Sequence, residues 1–581
     1  MPSPPDPVAP RVIRVWPAAV LIVAYWYAVF YIHNTDMAML PRFISRCVIW
    51  FVTVLVFIGW WMSNRRIGWR DRLGALGWLI VMTVVAGVLS HPSAIAVLVI
   101  DGLPIVFTAW TIWLALSRRW QPQTQRIGFA LVLPLTLIPI LLVRCEGIDG
   151  TQRTVLKWRW TPSGEELFLT SRVAAKSTAS TAREWIVQPG DWPEFRGPRR
   201  DGVVKGLSIR GDWQAVPPRL VWRQRIGPGW SSMIVVDGFL FTQEQRGELE
   251  AIVCYDAATG KEIWSYESPG RFNEAVSGLG PRATPTFYQG LICALGATGQ
   301  LTCVSADTGH KIWSRDIKAE CGAKVPQWGY SSSPLVVRAH GLRGMASAHE
   351  DLVIVFAGGD RGRSLIACRT ETGEVAWAHG DGTLSYSSPQ LVEWQGIKQI
   401  LMLDNISMAG INPWDGKPVW QRLTGGQMED PMIQPHVLNE SSLVISAGSG
   451  LARFDRKPGD RIVFDRWKSN SLKPDFNDVV IHAGYIYGLD DGILCCVDLE
   501  TGRRVWKRGR YGHGQILLLA DQARLLVACE TGEITLVAAK PDRHEELGRF
   551  QAIEGKLWNH PVIAGGRLYV RNGEEMACYE L

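Results

Sequence analysis

The stretch Thr259-Gly260-Lys261-Glu262-Ile263-Trp264 reads T-G-x-x-x-W, and the same pattern returns along the second part of the chain. In each copy the Trp stands four residues after the Gly, so the pattern has a fixed register. An apolar, β-prone run such as residues 251–255 comes before each copy, and strand, Gly-bearing turn and strand together indicate a hairpin. Gly supplies the positive φ that such a turn needs. The other copies are Thr308-Gly309 with Trp313, Thr372-Gly373 with Trp377, Asp415-Gly416 with Trp420, and Thr501-Gly502 with Trp506.

The spacing of the copies predicts the architecture. Most lie about 43 to 49 residues apart, which is the span of one four-stranded blade of a β-propeller. The longer interval between Trp313 and Trp377 contains residues 339–350, which we interpret as a loop insertion. A second marker has the same period, because a polar residue and a Pro come before each apolar run, and Pro suits the first residue of a strand. These pairs are Thr284-Pro285, Ser333-Pro334, Ser388-Pro389, Asp430-Pro431 and His560-Pro561.

The two ends of the repeat region predict how the ring closes. Leu220-Val221-Trp222-Arg223 resembles the outer strand of a blade, but the strands that should precede it are missing. The last apolar runs, residues 567–570 and 576–579, lack a following strand, so we expect the first strand to complete the last blade. Weak copies near Val463-Phe464 and near Phe550 bring the count to about eight blades, with seven as the alternative.

The N-terminal region predicts a membrane anchor. Five apolar stretches, residues 15–32, 47–62, 73–89, 94–116 and 127–143, are long enough together to indicate spans. The Arg-rich loops 63–72 and 117–126 are expected on the cytoplasmic side, which places the N-terminus inside and the chain after residue 143 outside. Arg42 and Arg46 contradict this rule, and no removable signal peptide is predicted. The predicted division is a transmembrane anchor over 1–143, a linker over 144–190 and a propeller over 191–581.

One ionisable residue, Asp101, interrupts the fourth apolar stretch. A charged group inside a membrane is a functional candidate by default. Asp101-Gly102-Leu103-Pro104 also resembles a helix start with a capping Asp, and we favour a capping or an interfacial role. A transporter or sensor hypothesis would rest on this residue alone.

Composition excludes some classes of function. The net charge of +6 gives no reason to expect nucleic-acid binding. Cys254, Cys303 and Cys496 stand six residues before a repeat Gly and Cys368 stands five before, so these thiols are predicted to share one buried strand position. No C-x-x-C or Cys/His spacing suggests a metal site.

The repeats of residues 190–581 resemble the pyrroloquinoline quinone (PQQ) repeat β-propellers. That family includes quinoprotein dehydrogenases and the propeller lipoprotein of the outer-membrane β-barrel assembly machinery. The segments 242–247, 280–285, 322–326 and 385–389 look more narrowly like a group of membrane-tethered bacterial proteins with this repeat. The five spans are similar in layout to the membrane-bound quinoprotein glucose dehydrogenase, whose anchor is assigned electron transfer to ubiquinone. The resemblance implies structural roles for Gly260, Trp264, Gly309, Trp313, Gly373, Trp377, Gly416, Trp420, Gly502 and Trp506.

The dehydrogenase branch of that family implies a bound cofactor, but the residues of this chain do not match the pattern that holds it in those enzymes. Those enzymes hold Ca²⁺ and the quinone with Glu, Asn and Asp on long inserted loops, and several oxygens must converge on such an ion. Roughly 390 residues at about 45 per blade leave little chain for such loops. Soluble members also carry a disulfide between adjacent Cys, but Cys495 and Cys496 lie on one strand and should point to opposite faces. No cofactor is expected, and PQQ with calcium is the alternative.

The candidate ligand site is the mouth of the central channel, where the inner strands begin. Residues just before the strand-opening Pro would surround it, namely Arg282, Trp328, Tyr330, Tyr386, Glu429, Asp430, Asn559 and His560. Such groups could hold an anionic or peptide ligand, or they could only cap blade ends. No catalytic residue and no metal ligand are predicted.

Two functions remain as hypotheses. The first is a non-enzymatic scaffold, anchored in the bacterial inner membrane, with its propeller in the periplasm and an envelope protein or peptide as partner. The second is a PQQ-dependent dehydrogenase that passes electrons through its anchor to ubiquinone. Carboxylates clustered with Arg or Lys and a stacking Trp in the channel would favour the second, and a channel plugged by apolar side chains would favour the first.

Overall fold

The computed structural model describes residues 13–35, 39–149, 154–172, 183–274, 276–339, 350–424, 431–447, 450–457 and 464–581. The chain divides into two compact units, Met1–Pro162 and Ser163–Leu581. Glu429 and Asp430 lie outside the described residues, as does nearly all of the predicted insertion at residues 339–350.

The first unit contains five helices that are long and apolar enough to cross a membrane, which confirms the predicted number. They are Trp16–Asn34, Met39–Ser63, Trp69–Leu89, Pro92–Ser117 and Pro122–Leu141. The fourth is composite: the 3₁₀ turn Pro92–Ala94 leads into Ile95–Val97, the π-helical turn Leu98–Gly102 and the α-helix Leu103–Ser117. An antiparallel pair of strands, Val143–Ile148 and Thr154–Trp158, follows the fifth helix.

The sequence favours a capping or an interfacial role for Asp101, and the capping role is wrong. It lies inside the π-helical turn, and the helix continues on both sides of it, so no free helix start is there to be capped. Its carboxylate instead pairs with Arg46 of the second helix. Arg42 donates to the Thr35 carbonyl at 3.2 Å. The two arginines that contradict the charge rule are therefore both bound within the helical unit.

The second unit is an eight-bladed β-propeller, as predicted, and each of blades 1 to 6 has four antiparallel strands that follow one another in chain order across the sheet. Blade 1 consists of Ile234–Val236, Phe239–Arg246, Leu249–Asp256 and Glu262–Pro269, and blade 2 of Thr286–Tyr288, Leu291–Leu295, Gln300–Ser305 and Lys311–Asp316. Blade 3 consists of Leu335–Val337, Leu352–Phe356, Leu365–Arg369 and Val375–His379, and blade 4 of Gln390–Trp394, Ile397–Leu403, Ser407–Ile411 and Pro418–Leu423. Blade 5 consists of His436–Asn439, Ser442–Ala447, Gly450–Asp455 and Phe464–Ser469, and blade 6 of Val480–His482, Tyr485–Asp490, Ile493–Asp498 and Arg504–Arg510. Blade 7 contains Gln515–Leu519, Arg524–Ala528, Glu533–Ala538 and Glu546–Gln551.

The ring closes as the sequence predicts. Blade 8 consists of Val562–Ala564, Arg567–Arg571 and Glu575–Glu580 and is completed by Arg219–Arg225, with Trp222 opposite Cys578. Blade 7 gains a fifth strand, Val203–Val204, which runs parallel to its inner strand. Shorter elements are the helices Gly164–Ser171 and Ile317–Cys321, the 3₁₀ turn Ala520–Gln522 and the strand pair Asn273–Glu274 with Gly278–Leu279.

The repeat Trp and the repeat Gly meet across the boundary between blades. Trp313 of blade 2 donates its indole N–H to the Thr370 carbonyl of blade 3 at 2.7 Å. Its ring lies against Gly373, whose φ is +75°, and a Cβ there would be 2.6 Å from the ring. Glycine is therefore needed twice, for the left-handed backbone and for the close approach of the indole. Trp222, Trp264 and Trp377 pack on the next blade's turn in the same way.

In the two weak copies of the repeat, a tryptophan from outside the expected position packs at the blade boundary. Near Val463-Phe464 the docking residue is Trp467, which donates to the Leu499 carbonyl at 3.1 Å and covers Gly502. Near Phe550 the docking position in the strand is occupied by Gly548, and Trp213 fills the space, since a Cβ on Gly548 would lie 2.8 Å from it. A segment that precedes the propeller thus supplies the tryptophan that the seventh repeat lacks.

The predicted strand start at Asp430-Pro431 is wrong by four residues. The inner strand of blade 5 begins at His436, directly after Gln434-Pro435. The Pro431 carbonyl accepts from the backbone of Tyr386 and Ser387 at 2.9 and 3.0 Å, so Pro431 lies in the loop before the strand. Two prolines four residues apart both fit the sequence pattern, and only the hydrogen bonds select between them.

Candidate ligand site at the channel mouth

A strip of the chain, residues 191–204, lies along the inner strands of the propeller, and we call it the plug. The backbone of Trp192 exchanges hydrogen bonds of 2.8 and 2.9 Å with Val235 of blade 1, and the Pro193 carbonyl accepts from Phe287 of blade 2 at 2.9 Å. Val203 pairs with Leu518 of blade 7. The Arg200 guanidinium donates to the Ser333 and Pro334 carbonyls at 3.1 and 3.0 Å, where blade 3 begins, and blade 3 lies opposite blade 7 in the ring. The plug therefore crosses the ring and places polypeptide in the central channel.

Two arginines of the plug are buried and paired with carboxylates of this chain. Arg196 and Arg200 are 1% and 2% exposed. Arg196 lies 2.6 Å from Asp478 and donates to the Val479 carbonyl at 2.8 Å, while Arg200 pairs with Glu194 at 3.0 Å. Burial raises the pKa of Asp478, but Arg196 and the hydrogen-bonded ring of His436 outweigh burial and hold it well below its usual value. The Arg196–Asp478 pair joins the plug to blade 6, and Arg200 joins it to blade 3 by donating to the Ser333 and Pro334 carbonyls at 3.1 and 3.0 Å.

Above the plug, one polar residue from each blade forms a ring that we call the collar. Each member stands two residues before the first residue of an inner strand, and the members are Ser232, Thr284, Ser333, Ser388, Gln434, Asp478, His513 and His560. Backbone N–H groups donate to the hydroxyl of the next blade, from Ser232 to Thr284 at 3.2 Å and from Thr284 to Ser333 at 2.9 Å. The Ser232 hydroxyl donates to the His560 carbonyl at 2.7 Å, across the closure of the ring.

Several buried atoms at the collar have no hydrogen-bond partner among the described residues. They are Ser332 Oγ, Ser387 Oγ, Gln434 Oε1, Asn477 Oδ1, Asn559 Oδ1 and His560 Nδ1. Burial and the charge of Arg196 lower the pKa of His560 to about 3, so its ring is neutral at physiological pH. Buried polar atoms normally have partners, so this set of mostly acceptor atoms is suited to a ligand that offers N–H or O–H donors.

An aromatic patch adjoins the collar, formed by Trp230, Phe476 and Trp558. Trp558 lies 5.2 Å from Trp230 and 5.0 Å from Phe476 between ring centroids. The Lys556 ammonium stands 3.9 Å from the Trp558 ring and 5.1 Å from the Trp230 ring. Flat apolar faces beside a cation can stack on a planar group and attract a negative charge.

The sequence analysis missed the aromatic patch, although a signal for it was present. Its three members each stand two residues before a collar residue, the same offset at which Arg282 and Tyr386 are found. Trp230 and Phe476 were overlooked because Met233 and Val479 replace the strand-opening Pro in their blades. Both residues are found by counting back from the first residue of the inner strand, whether or not a Pro opens that strand.

The structure places the predicted residues in different surroundings. Asn559 and His560 belong to the collar region, where Asn559 donates to the Ser231 carbonyl at 2.9 Å. Arg282 is enclosed by its own loop, donates to Gly278 at 2.8 Å, and has its pKa lowered to about 10 by burial. Tyr330, Tyr386 and Trp328 make contacts between loops, with Tyr330 donating to the Ala357 carbonyl at 3.0 Å and Tyr386 accepting from the Trp328 backbone at 3.4 Å.

The described residues of the mouth do not fit a calcium ion held by carboxylates. Asp478 uses one oxygen for Arg196 and the other for His436, and Glu530 accepts from Trp558 and from the His513 backbone. Within the part of the chain that the structure describes, no group of three or more His, Cys, Asp or Glu could hold a metal ion. The aromatic patch alone offers a surface for a flat ring.

The two collar histidines should give opposite pH dependences of stability. Burial lowers the pKa of His513, but its hydrogen bond to Asp475 at 3.1 Å and the charges of Asp475, Glu530 and Asp491 raise it overall. His513 therefore contributes stability that is present below the ordinary histidine pKa of about 6.5 and is lost as the pH rises through the folded value. For His560 the folded pKa is depressed, so the native state loses stability as the pH falls below about 6.5.

Urea unfolding of the full chain in detergent at about pH 5 and about pH 9 brackets the histidine range and measures this. His513→Gln should lower stability more at the acidic pH, and His560→Gln should raise stability relative to wild type only there. Equal shifts at both pH values for His513→Gln would contradict its assigned protonation.

The comparisons with known proteins agree with a repeat propeller. A family model described as outer membrane protein assembly factor BamB matches residues 214–337 and 331–508, together half of the chain. A quinohemoprotein alcohol dehydrogenase, ADH IIB of Pseudomonas putida, is 23% identical over 248 residues, which are 38% of this chain and 29% of that protein. The dehydrogenase subunit of the quinone alcohol dehydrogenase of Acetobacter aceti is 25% identical over 256 residues, 43% of this chain and 32% of that protein.

Two solved structures match this chain at low identity. BamB from Moraxella catarrhalis superposes with a TM-score of 0.45 and 15% identity, covering 63% of this chain and 100% of BamB. A europium-containing methanol dehydrogenase superposes with a TM-score of 0.49 and 12% identity, covering 68% of this chain and 98% of that one. The chain spans about a third of the length of the curated dehydrogenases that it matches.

Proposed function

This chain belongs to the family described as outer membrane protein assembly factor BamB, and we propose on that premise that it is a membrane-anchored binding module of the cell envelope. Its partner is an envelope protein or peptide that binds at the channel mouth. One observation carries the proposal: the plug crosses the channel and is bound to the ring through Arg196 and Arg200, while Trp230, Phe476 and Trp558 form an aromatic patch beside the collar. The aromatic patch is then the surface that recognises the partner.

The chemistry of the mouth suits a peptide. The unpartnered collar atoms would accept from backbone or side-chain N–H groups of an incoming segment. Trp230, Phe476 and Trp558 would pack against an apolar or aromatic side chain, and aromatic residues are enriched at such binding sites. Neither feature is suited to nucleic acid, which needs a basic track along its phosphates.

The proposed location is the bacterial inner membrane, with the N-terminus in the cytoplasm and the propeller in the periplasm. Arg65, Arg66, Arg118 and Arg119 lie in the loops between the second and third and between the fourth and fifth helices, and Arg70, Arg72 and Arg126 lie near the start of the helices that follow. These charges favour a cytoplasmic position for both loops. The two contrary arginines, Arg42 and Arg46, are bound within the helical unit, so they do not act as loop charges.

A second candidate function is a PQQ-dependent dehydrogenase that passes electrons through the anchor to ubiquinone. The observation that favours it is the Lys556 ammonium beside the faces of Trp558 and Trp230, an arrangement that suits a flat anionic ring. The matches to quinone-dependent alcohol dehydrogenases also agree with it. The carboxylate arrangement at the mouth speaks against it, because Asp478 and Glu530 are already engaged.

Site-specific photo-crosslinking in living cells tests the first candidate. A photoreactive residue at the exposed Gln327 or Glu554, in loops that lead to the collar, should give a discrete protein adduct. The same residue at Lys261, exposed in a turn at the opposite ends of the strands, is the matched control and should give none. Equal labelling at the mouth and at Lys261 would count against a binding site at the mouth.

Titration of the purified full chain with PQQ and Ca²⁺ separates the two candidates. If the binding module is correct, tryptophan fluorescence should not change saturably at micromolar quinone. Saturable quenching that chelation reverses, that Trp558→Ala abolishes, and that accompanies dye reduction with alcohols would establish the dehydrogenase instead.

A further inference from the structure

Two thiols face each other in the core of blade 2. Cys293 on the strand Leu291–Leu295 stands directly opposite Cys303 on the strand Gln300–Ser305. Their sulfur atoms are 3.7 Å apart, and both residues are completely buried. Directly opposed residues on antiparallel strands place their Cβ atoms about 4.5–5.5 Å apart, close to the separation that a disulfide spans.

The repeat makes this pair unusual within the chain. Cys303 occupies the strand position opposite the repeat Trp, which three other blades also fill with Cys, and those residues face Phe241, Tyr487 and Tyr569. The predicted shared position is wrong for Cys368, because Ala367 stands opposite Trp377 and Cys368 lies one residue further along the strand. Only blade 2, among the described blades, opposes that position with a second thiol. A small residue packed for volume alone would need no sulfur on the facing strand.

We propose that Cys293 and Cys303 form a cross-strand disulfide when the chain folds in an oxidising compartment. Two S–H bonds break and one S–S bond forms, while two electrons and two protons pass to a disulfide oxidant, which leaves as a dithiol. The proposal rests on the periplasmic location given under the proposed function, because structural disulfides persist in that compartment and not in the cytoplasm.

The bond must form during folding. In the native propeller the pair lies inside a core cluster with Cys321, Cys368 and Val353, where no oxidant can reach either sulfur. The Cys303 thiol and burial raise the pKa of Cys293 well above its usual value, so the thiolate needed for exchange is scarce. Protein that has folded reduced should therefore stay reduced when glutathione disulfide is added.

The test uses the full chain, isolated from cells with its thiols trapped by N-ethylmaleimide at lysis and digested without reductant. Mass spectrometry should find a linked pair of peptides that contain Cys293 and Cys303. After denaturation, two fewer than the eleven cysteines should carry the label. Cys303→Ser should abolish the linked pair, whereas Cys254→Ser and Cys496→Ser, at the same repeat position in blades 1 and 6, should leave it intact.

Protease accessibility in spheroplasts, measured on the same cells, separates this proposal from the proposed location. A propeller that is cleaved from outside but carries eleven labelled cysteines would overturn the disulfide. A protected propeller would instead refute the periplasmic location. In that case the cells are treated during synthesis with diamide, which accepts two hydrogens from a thiol pair. A linked pair then supports the proposal, and its absence overturns it.

Discussion

Replacing Arg196 with Met should lower the free energy of unfolding of the propeller by about 3–5 kcal/mol. The guanidinium is 1% exposed and lies 2.6 Å from Asp478, itself 4% exposed. Removing it leaves a buried carboxylate without its cation, and that uncompensated charge is the main cost. It also breaks the 2.8 Å hydrogen bond to the Val479 carbonyl, which ties the plug to blade 6.

Urea unfolding of the full chain in detergent, followed by tryptophan fluorescence, measures the effect. Arg199→Met is the matched control, because Arg199 belongs to the same plug but is half exposed and pairs with Asp201 at the surface. Its change should stay below about 1 kcal/mol. Arg196→Met with Asp478→Leu should recover much of the loss, since no unpaired charge is then buried. An unchanged midpoint for Arg196→Met alone would mean that the plug does not occupy the channel.

Trp313→Ala should destabilise the propeller by about 3–5 kcal/mol, the range for truncating a buried Trp. The indole is 7% exposed, packs on Gly373 of the next blade and donates to Thr370 at 2.7 Å. The substitution therefore opens a cavity between blades 2 and 3 and leaves a carbonyl without its donor. Because each blade contacts its neighbours, weakening one boundary should weaken the closed ring as a whole.

Two further variants separate packing from hydrogen bonding. Trp313→Phe keeps a ring on Gly373 and loses the N–H donor, so it should cost less, about 1–3 kcal/mol. Trp213→Ala should resemble Trp313→Ala in size, because Trp213 is 2% exposed and fills the docking position beside Gly548. A melting temperature that is unchanged by Trp313→Ala would refute the assignment of this residue to a blade boundary.

Part of the candidate site could be predicted and part could not. Asn559 and His560 were identified because a strand-opening Pro marks their blade, and the structure places them at the collar. Arg282 and Tyr330 share that local pattern but are engaged by neighbouring loops, and nothing in the pattern reports which way a loop side chain turns. The aromatic patch was accessible only by its register relative to the inner strands.

The sequence by itself determined the elements whose cause is local and periodic. A Gly-bearing turn with a Trp four residues later needs only adjacent residues to define a hairpin, so the repeat pattern alone predicts about eight blades and identifies the closing strand, and the structure has eight. Five apolar runs of membrane length determined five helices in the same way. In both cases the same short-range pattern recurs several times along the chain, and this repetition makes it recognisable in the sequence.

Tertiary structure alone decided the plug, the collar and the substitution of Trp213 for a missing repeat residue. Arg196 and Val479 are 283 positions apart, and no spacing in the chain announces that they meet. Asp101, in the π-helical turn, likewise pairs with Arg46 of another helix. Such features appear once each and arise from residues that only the closed ring or the packed helices bring together, so they leave no periodic trace in the sequence.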